Sequence, residues 1–456
     1  MNRRTFLSAA LQPRRRPPNV VFILADDLGY SDLGCYGGVY HSPNLDRLAS
    51  EGVRFTQFTV AGPICSPSRV GLTTGQFPSR HLIHSFLNSR AANRERGMRD
   101  WLDPAAPAVA RAFQKAGYAT GHFGKWHMGG GRDVGEAPLP QAYGFDESLA
   151  SFEGLGDRIL PPGNLSNQSE KLGRGEIRRV AKHEQTGIYV DRTIDFLDRH
   201  RDRPAYVHLW LNDVHDAFEP NPRTLAKYDG VSPNKYVRQY HAVVDDMDRD
   251  LGRLLTAIGR MGLEENTIVI FASDNGPTAW PRYYKEGLEP PGDAAGLRGR
   301  KWSLYEGGIR EPFFIRWKGR IPAGRVNRET ILTAVDMFPS ICRLTGVDAA
   351  AASLDGEDMS AALAGRRKQR RKPIFWEYPR SKKDLRPGLE KDQSPNLAVR
   401  DGRWKLLINA DGSRAELYDL ERDLAESTNV AARNPSIARR LTRQLLAWRE
   451  SLPVLT

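Results

Sequence analysis

The stretch Asn19-Val20-Val21-Phe22-Ile23-Leu24-Ala25-Asp26-Asp27 determines how the rest of the chain is arranged. Its apolar residues follow one another without a polar interruption, which is typical of a strand that is covered on both faces of a parallel sheet. Asp26 and Asp27 come directly after that strand. Two carboxylates there are costly to bury unless positive charge satisfies them, and a hard cation is the usual partner. The alternative is a solvated turn, because aspartate is also a common turn residue.

The run Thr267-Ile268-Val269-Ile270-Phe271-Ala272-Ser273, followed by Asp274-Asn275, has the same design. The carboxyl ends of parallel strands meet at one edge of a sheet, where open α/β folds bind their ligands. The two strand ends then bring four oxygen-bearing side chains together: Asp26, Asp27, Asp274 and Asn275. Such a set suits Ca²⁺ or Mg²⁺, and it includes none of the soft ligands that would indicate zinc.

Two further predicted strands end in cationic or titratable side chains. Residues 118–123 lead into Lys125 and His127, and residues 205–211 lead to His215. If the extended geometry persists, alternation puts Lys125 and His127 on the same side of the chain. A core or surface imidazole with no chemical role is the usual explanation of either histidine taken alone.

The segment Gly62-Pro63-Ile64-Cys65-Ser66-Pro67-Ser68-Arg69 puts a cysteine at the mouth of a predicted helix. Ser66 is an N-cap residue type, and Pro67 suits a first helical turn. Arg69 follows Cys65 by four residues and lies close to the same face. The helix N-terminus and the guanidinium would surround the cysteine with positive charge, which a nucleophile or an anionic substrate needs. A structural cysteine in a proline-bounded loop explains these residues equally well.

The composition is that of a globular, basic protein. Its 456 residues, of which 40% are hydrophobic and 27% charged, can bury a sizeable core without disulfide bonds. No apolar run reaches the length of a bilayer span. Cys35, Cys65 and Cys342 are too few for a disulfide framework, and we expect Cys342 to lie in the core. The net charge of +12 favours an anionic partner, although no nucleic-acid-binding motif accompanies it; an arginine-rich solvated surface is the alternative.

The central part of the chain shows weaker patterns. Residues 129–183 are rich in glycine, proline and charged residues, which indicates long surface loops. A predicted helix at 236–261 carries acidic residues that we interpret as a solvated or salt-bridged face rather than a metal site: Asp245, Asp246, Asp248 and Asp250. The basic run 366–372 marks a boundary, because so many charged residues in succession cannot be buried.

The predicted domain organisation follows from that boundary. Residues 18–365 form an α/β catalytic domain with a large, mostly parallel sheet flanked by helices. Residues 366–456 form a smaller α+β subdomain with an antiparallel sheet and a final helix that begins at Asn434-Pro435. Residues 1–17 contain Asn2-Arg3-Arg4-Thr5-Phe6-Leu7, which is similar to a twin-arginine export signal with a short apolar part. A functional signal predicts a periplasmic or exported protein, whereas a disordered tail predicts a cytoplasmic one.

Together, these motifs resemble those of the type I sulfatases of the alkaline phosphatase superfamily. Cys65-Ser66-Pro67-Ser68-Arg69 matches the family signature Cys-x-Pro-Ser-Arg, and Gly124-Lys125-Trp126-His127 matches its second signature. The similarity covers roughly residues 18–430. It implies an alkaline phosphatase-like fold and an enzyme that hydrolyses sulfate monoesters of a carbohydrate or an aryl alcohol.

The resemblance also implies the cofactors. A maturation enzyme is expected to oxidise Cys65 to Cα-formylglycine, whose hydrate is the nucleophile. A divalent cation, usually Ca²⁺ and less often Mg²⁺, is expected to bind the strand-end oxygens and an oxygen of the modified cysteine: Asp26, Asp27, Asp274, Asn275 and Cys65. The metal lowers the pKa of the attacking hydroxyl.

The remaining roles are carried over from the same family. Lys125 and Lys301 would hold sulfate oxygens, and their charge would offset the charge that develops on the sulfuryl group. Arg69 would help to hold the alkoxide. His215 would protonate the leaving alcohol, and His127 would take a proton from the second hydroxyl of the hydrate so that sulfate is expelled.

Two departures from the family pattern concern the outer pocket. The usual His-x-Pro reads His215-Asp216-Ala217 here, and the bulky Arg300 and Trp302 flank Lys301. We expect both changes to reshape the part of the pocket that holds the leaving group.

Two alternative functions remain open at this point. Relatives with the same kind of site act on phosphorus esters, so hydrolysis of phosphonate monoesters or phosphodiesters is a second hypothesis. A third is an inactive protein that binds sulfated polymers through the basic run 366–372.

Overall fold

Strands form a ten-stranded sheet, a two-stranded ribbon and a four-stranded sheet within residues 16–349 and 353–455, which the computed structural model describes. The strands are β1 (Asn19–Ala25), β2 (Val53–Phe55), β3 (Phe58–Thr59), β4 (Ala119–Lys125), β5 (Glu147–Ser151), β6 (Arg158–Leu160), β7 (Ile177–Arg179), β8 (Ala205–Trp210), β9 (Thr267–Ser273), β10 (Phe313–Trp317), β11 (Arg325–Asn327), β12 (Leu332–Thr333), β13 (Ile374–Glu377), β14 (Leu397–Asp401), β15 (Trp404–Ile408) and β16 (Glu416–Asp419).

Helices connect these strands and cover both faces of the large sheet. The α-helices are α1 (Pro43–Ser50), α2 (Cys65–Thr74), α3 (Arg90–Glu95), α4 (Val109–Lys115), α5 (Gln185–Arg199), α6 (Pro222–Leu225), α7 (Lys235–Arg260), α8 (Pro281–Lys285), α9 (Glu306–Ile309), α10 (Met337–Thr345), α11 (Ser360–Leu363) and α12 (Pro435–Glu450). Short 3₁₀ turns lie at Gly34–Tyr36, Pro78–His81, Pro140–Tyr143, Leu165–Leu172, Lys182–Glu184, Ala226–Tyr228, Glu264–Asn266, Ala334–Asp336, Glu390–Asp392 and Ala431–Arg433.

The large sheet has the strand order β11-β2-β10-β9-β1-β8-β4-β5-β6-β7. β1 lies between β8 and β9, is parallel to both, and is buried along its whole length, as is β9. β10 runs antiparallel to its two neighbours, whereas the other pairs are parallel. The prediction of a mostly parallel sheet is therefore confirmed, because uninterrupted apolar strands can be covered by helices on both faces.

Residues 129–183 extend this sheet instead of forming surface loops alone, so that prediction is wrong. β5, β6 and β7 pair in parallel one after another beyond β4. Their sequences, ESLAS, RIL and IRR, are short and partly charged, so they lack the apolar run that marks an internal strand. The charge is tolerated because Arg158 is buried with its guanidinium donating to backbone carbonyls, including that of Ser166 at 3.0 Å.

The acidic face of α7 is buried rather than solvated. Asp248 accepts hydrogen bonds from the backbone N–H groups of Asn44, at 3.1 Å, and Leu45, at 2.8 Å, in the first turn of α1. Asp246 accepts from the N–H of Asn221, at 2.9 Å, just before α6. These carboxylates satisfy N–H groups that a helix start leaves unpaired. Ion pairs also form, as predicted, at three of the acidic residues: Asp245, Asp246 and Asp250.

The C-terminal part has an antiparallel sheet, β13-β14-β15-β16, against which α12 packs. Both were predicted, including the start of the helix after Asn434. In the basic run, however, the Arg370 side chain is only 3% exposed and pairs with the buried Asp336. The argument that such a run cannot be buried is therefore wrong for this residue, since a carboxylate compensates its charge. The domain boundary at 365/366 stays a prediction.

Three expectations concern the termini, the cysteines and the membrane. The twin-arginine-like segment Asn2-Arg3-Arg4-Thr5-Phe6-Leu7 lies outside the described residues. Cys35, Cys65 and Cys342 are all unbridged, and Cys342 is buried in the core as expected. Among the helices of the described ranges, none combines the length and the apolar character needed to cross a bilayer.

Two buried histidines lie side by side in the middle of the sheet. His122 of β4 and His208 of β8 are partners in register, with ring centroids 5.8 Å apart. The His208 ring stacks on Trp210 at 4.1 Å, and its Nε2 lies 2.7 Å from the hydroxyl of Tyr206. Burial lowers the pKa of His122 to about 3 and that of His208 well below its usual value. Both rings are therefore neutral in the folded protein.

We predict that acid weakens the fold through these histidines. An unfolded chain protonates an imidazole near pH 6.5, whereas folded His122 stays neutral down to about pH 3. Between these values the unfolded state binds more protons, so the free energy of unfolding falls with pH, by about 2 kcal/mol per histidine at about pH 5. Between about pH 7.5 and about pH 5, the Tm of His122→Phe should fall less than that of the wild type.

The exposed His41 supplies the control, because its ring is in water in both states. His41→Ala should keep the pH dependence of the wild type. An equal loss of Tm in the wild type and in His122→Phe would contradict the prediction.

Candidate active site

Polar side chains converge where the central parallel strands end. Asp26 and Asp27 follow β1, Asp274 follows β9, and Lys125 is the last residue of β4. All are buried, at 2% exposure or less. β1 pairs directly with β9, and β8 lies between β1 and β4. The prediction that these strand ends meet at one edge of the sheet is therefore confirmed.

Helix α2 begins at Cys65 itself. Ile64, with extended backbone angles, precedes the helix as its N-cap, and Ser66 lies inside the first turn. The prediction of Ser66 as the N-cap is wrong, because its Oγ serves a tertiary contact and accepts a hydrogen bond from the Leu87 N–H at 3.0 Å. Cys65 nevertheless lies at the positive end of the helix, as predicted.

The Cys65 thiol lies between a cation and a carboxylate. Its Sγ is 3.2 Å from Lys125 Nζ and 3.5 Å from Asp26 Oδ1. Burial, with the negative charge of Asp26, raises the pKa of Cys65 to about 12. The unmodified side chain is therefore a neutral thiol, which disfavours a thiolate nucleophile.

Asp27 is held by groups from two distant segments. Lys301 Nζ donates to both carboxylate oxygens, at 2.6 and 2.7 Å, and the Asn275 amide donates to Oδ1 at 2.7 Å. Burial raises the pKa of Asp27 despite the opposing charge of Lys301. The same carboxylate raises the pKa of Lys301 well above its usual range, even though burial works against it. Lys301 is therefore charged and fixed beside the strand ends.

Arg69 ties the cysteine helix to β9. Its Nη2 and Nε lie 2.7 and 3.1 Å from Asp274 Oδ2, and its Nη1 donates to the Lys125 carbonyl at 3.0 Å. Burial and the nearby charge of Asp26 raise the pKa of Asp274 to about 7. Burial would raise the pKa of Asp26 as well, but neighbouring positive charges, of which Lys125 contributes most, hold it well below its usual value. Arg69 thus contacts acid groups rather than the thiol.

The donor set fits a hard cation. Ligand atoms of Asp26, Asp27, Cys65 and His215 lie within 4.8 Å of one another. The Asn275 Oδ1 is buried and has no hydrogen-bond partner among the described residues, although the nitrogen of the same amide is bonded. A buried carbonyl oxygen without a donor, next to several carboxylates, is the environment that a cation would complete. The structure places Asp274 and Asn275 against Asp27, and their role as metal ligands stays a prediction.

The two predicted histidines lie near the same aromatic ring. Phe152 has its ring centroid 4.7 Å from that of His127, 6.4 Å from that of His215 and 4.9 Å from Lys125 Nζ. His127 follows β4 with a positive φ of 51°, so the extended geometry assumed for Lys125 and His127 ends between them. His215 Nε2 lies 3.7 Å from Asp27 Oδ2.

The hydrogen bonds of each histidine identify its protonated nitrogen. His127 Nε2 lies 3.2 Å from the Leu87 carbonyl, which can only accept, so Nδ1 carries the lone pair. The same reasoning puts a proton on His215 Nδ1, next to the Asp216 carbonyl. Burial lowers the pKa of both residues, with the charge of Lys125 adding to the effect at His127 and that of Lys301 at His215.

A cleft of about 180 Å³ opens from Asp26 and Lys125 toward the surface. Phe152 and Lys182 line it, and sequence reasoning missed both. Phe152 has a φ of 57°, and its carbonyl accepts from Ser166 Oγ at 2.8 Å. Lys182 Nζ donates to the His215 carbonyl at 2.6 Å and to that of Ala217. No local sequence pattern predicts that either residue lines the cleft, because their contact partners are distant in sequence.

The expected changes to the outer pocket take a different form. The Asp216 carboxylate binds Arg282 and the hydroxyl of Tyr283 in α8, which anchors the loop of His215. Trp302 is buried against Trp280, with ring centroids 4.8 Å apart. Arg300 donates to backbone carbonyls of four residues, Thr278, Pro290, Pro291 and Gly292. Arg300 and Trp302 thus brace the loop that carries Lys301, and the cleft is lined by other residues.

Two protein-family models match this chain. The Sulfatase family model matches residues 18–347. The chain belongs to the sulfatase family. A second model, that of the C-terminal part of N-sulphoglucosamine sulphohydrolase, matches residues 299–451. This sulfatase is an enzyme that hydrolyses sulfate monoesters, and its sheet has the alkaline phosphatase-like architecture of its structural neighbours.

Relatives match almost the whole chain. It is 31% identical to arylsulfatase A of Homo sapiens, covering 94% of this chain and 88% of that protein. It is 28% identical to the N-acetylgalactosamine-6-O-sulfatase of Bacteroides thetaiotaomicron, covering 94% and 92%. The solved structure of Ps i-CgsB in complex with k-i-k-neocarrahexaose superposes with a TM-score of 0.76 at 25% identity, covering 95% of this chain and 93% of the other.

We predict that Lys182 fixes the loop of His215. In Lys182→Met the carbonyls of His215 and Ala217 lose their shared donor, so amide hydrogen exchange across residues 212–219 should quicken by about tenfold or more. Lys115→Met, at an exposed position of α4, should leave exchange in this loop unchanged. If the loop exchanges at wild-type rates in Lys182→Met, Lys182 does not position it.

Proposed function

We propose that this sulfatase acts on sulfated carbohydrates and uses a formylglycine derived from Cys65 together with bound Ca²⁺. The observation that carries the proposal is the surroundings of Cys65, which lies at the start of α2 with Lys125 Nζ at 3.2 Å and Asp26 Oδ1 at 3.5 Å. A hydrated formylglycine at this position would supply one hydroxyl as the nucleophile toward sulfur and a second hydroxyl whose deprotonation would release sulfate and restore the aldehyde.

The sulfate group is held by fixed positive charge. Lys125 and Lys301 are buried, and the pKa of each is raised by a neighbouring carboxylate despite burial, so both remain charged. They contact different carboxylates at the end of β1: Lys125 contacts Asp26, and Lys301 contacts Asp27. Charge that is already oriented stabilises the sulfuryl oxygens in the transition state without further reorganisation.

The two histidines have distinct proton roles in this proposal. His127 presents the lone pair of Nδ1, which has no partner among the described residues, and so can accept the proton of the second hydroxyl. His215 has Nε2 on the side of Asp27 and lines the cleft, and in its protonated form it would donate the Nε2 proton to the leaving alcohol. Phe152 lies near both rings, with its centroid 4.7 Å from that of His127 and 6.4 Å from that of His215.

Asp26, Asp27, Asp274 and Asn275 would hold the cation with an oxygen of the modified Cys65. All four are buried oxygen donors, which suits Ca²⁺, and the Asn275 Oδ1 still lacks a partner in the described structure. When bound, the cation lowers the pKa of the attacking hydroxyl.

The cleft supports a carbohydrate over a simple aryl alcohol. Polar side chains that can hydrogen-bond to sugar hydroxyls are among its lining residues: Asn164, Lys182, Gln185, Asn212 and Glu219. Phe152 offers an apolar ring to a sugar face. A relative named N-acetylgalactosamine-6-O-sulfatase and a neighbour solved with k-i-k-neocarrahexaose point in the same direction.

The first test compares two leaving groups. Enzyme produced with a formylglycine-generating enzyme should have a higher kcat/KM for sulfated glycans than for p-nitrophenyl sulfate. His215→Ala should lower kcat on the glycan by about 10²–10⁴-fold, and much less on p-nitrophenyl sulfate, because nitrophenolate leaves without a proton. The exposed His41→Ala should behave as the wild type on both.

Two outcomes would contradict the proposal. Mass spectrometry of the Cys65 peptide should show an aldehyde, and a fully active enzyme with a persistent thiol would exclude the formylglycine. A clear preference for aryl phosphonate over matched aryl sulfate would favour the phosphorus-ester hypothesis instead.

The second test concerns the cation. Ca²⁺ should raise the Tm of chelator-treated enzyme, and Mg²⁺ should do so more weakly, because this set offers many flexible oxygen ligands. Asn275→Ala should weaken the apparent Ca²⁺ affinity by about tenfold or more. The matched control is Asn266→Ala, because Asn266 lies immediately before the first residue of β9, at the opposite end of the strand from Asn275. This variant should keep the wild-type affinity for Ca²⁺. Equal Ca²⁺ responses in all three proteins would remove Asn275 from the site.

A further inference from the structure

A second cavity, of about 320 Å³, is lined by residues of the part of the chain that carries the ten-stranded sheet and by residues of the C-terminal part. It shares no lining residue with the cleft of the active site. Four arginines line it, two from each side of the junction: Arg310 and Arg328, and Arg400 and Arg403. We call it the arginine cavity.

Arg400 of β14 is buried and forms no ion pair within the described residues, although the charges of Glu306 and Glu426 act to raise its pKa. It is 2% exposed, its Nε donates to the Gly402 carbonyl at 3.1 Å, and its Nη2 donates to Gln57. Its Nη1 is buried with no hydrogen-bond partner, and no carboxylate lies within ion-pair distance of it, among the residues that the structure describes. A buried guanidinium with an unused donor and no ion-pair partner is costly, and an anion is the natural complement.

The two buried acids that act on Arg400 already have other partners, and Glu426 lies 2.9 Å from Lys405 Nζ. Glu306 accepts from Arg310 Nε at 2.6 Å and from Lys405 Nζ at 2.8 Å, so it balances those cations rather than Arg400. Burial, with the charge of Arg310 as the next cause, lowers the pKa of Arg400 to about 10. Arg400 therefore remains protonated at neutral pH and leaves an excess of positive charge.

The rim adds one more cation. Arg328 is exposed, and it has no carboxylate within ion-pair distance in the described ranges. Arg403 pairs with Asp419 and with Glu421, the latter at 3.2 Å. Glu329 also lines the cavity, but it is exposed and its carboxylate lies 3.7 Å from Arg367, which is not a lining residue. The positive excess of the cavity therefore rests on Arg400 and Arg328.

We infer that the arginine cavity is a second anion site that binds a sulfate-class oxyanion through Arg400, Arg310 and Arg328. Guanidinium groups suit such anions because their N–H groups match paired oxygens. A water molecule takes about 30 Å³, so the space exceeds the need of a free oxyanion and also admits a sulfated sugar unit. The ligand is therefore either free inorganic sulfate, which the enzyme releases, or a sulfate group still attached to a glycan.

The test measures Tm against sodium sulfate, with sodium chloride at equal ionic strength as reference. It is made in a Lys301→Ala background, which weakens sulfate binding at the active site. The Lys301→Ala protein should show a saturable rise in Tm. Adding Arg400→Gln should raise the apparent Kd at least about tenfold, because the central guanidinium is lost. Adding Arg439→Gln, at an exposed position of α12, should change nothing.

Arg328→Gln supplies the second variant, since it is exposed and leaves the Arg400 contacts intact. It should weaken the saturable response by about twofold to fivefold. General stabilisation by sulfate does not saturate and should persist in every variant. If neither Arg400→Gln nor Arg328→Gln changes the saturable response, the inference is wrong.

A parallel titration with galactose 6-sulfate distinguishes the two sources. If both probes raise the Tm and Arg400→Gln abolishes both effects, free sulfate is sufficient for binding at the arginine cavity. If only galactose 6-sulfate raises the Tm and Arg400→Gln abolishes that effect, the site binds a sulfate group that is attached to a glycan. A response to neither probe in the Lys301→Ala protein overturns the inference.

Discussion

The structure depends on the balance of charge at the carboxyl edge of the parallel sheet. Buried carboxylates face an equal number of buried cations there: Asp26, Asp27 and Asp274 against Arg69, Lys125 and Lys301. Removing one partner of a buried ion pair typically costs about 3–5 kcal/mol, because the other charge is left without compensation. The cations come from α2, from β4 and from the loop before α9. The same pairs that shape the site therefore also hold these three segments to β1 and β9.

The sequence predicted this edge because its signals are local. An apolar run that ends in two polar residues shows both the strand and the point where it stops, and β1 and β9 are such runs. The cysteine segment was harder to place. Ser66 has the right chemistry for an N-cap, but its hydroxyl serves Leu87, which is 21 residues away. Local propensity identified the helix and its positive end, and a tertiary contact decided its first residue.

The features that sequence reasoning missed depend on partners far along the chain. Lys182 acts on carbonyls of the His215 loop, 33 residues later. Arg370 is buried because Asp336 is buried beside it, 34 residues earlier. The edge strands β5 to β7 are too short and too charged to be recognised before β4 is known to lie beside them. In each case a charged residue was assigned to the surface, since a sequence does not show which opposite charge will meet it.

Charge balance also distinguishes the active site from the arginine cavity. At the sheet edge the acidic and basic side chains are equal in number, so the entry of an anionic ester adds negative charge that no further basic residue offsets. Low-dielectric surroundings make such an imbalance costly, and a divalent cation among Asp26, Asp27 and Asn275 would remove it. In the arginine cavity the imbalance is already positive, because Arg400 has no acid partner among the described residues. On this reasoning the active site needs a cation before it accepts an anion, whereas the arginine cavity needs none.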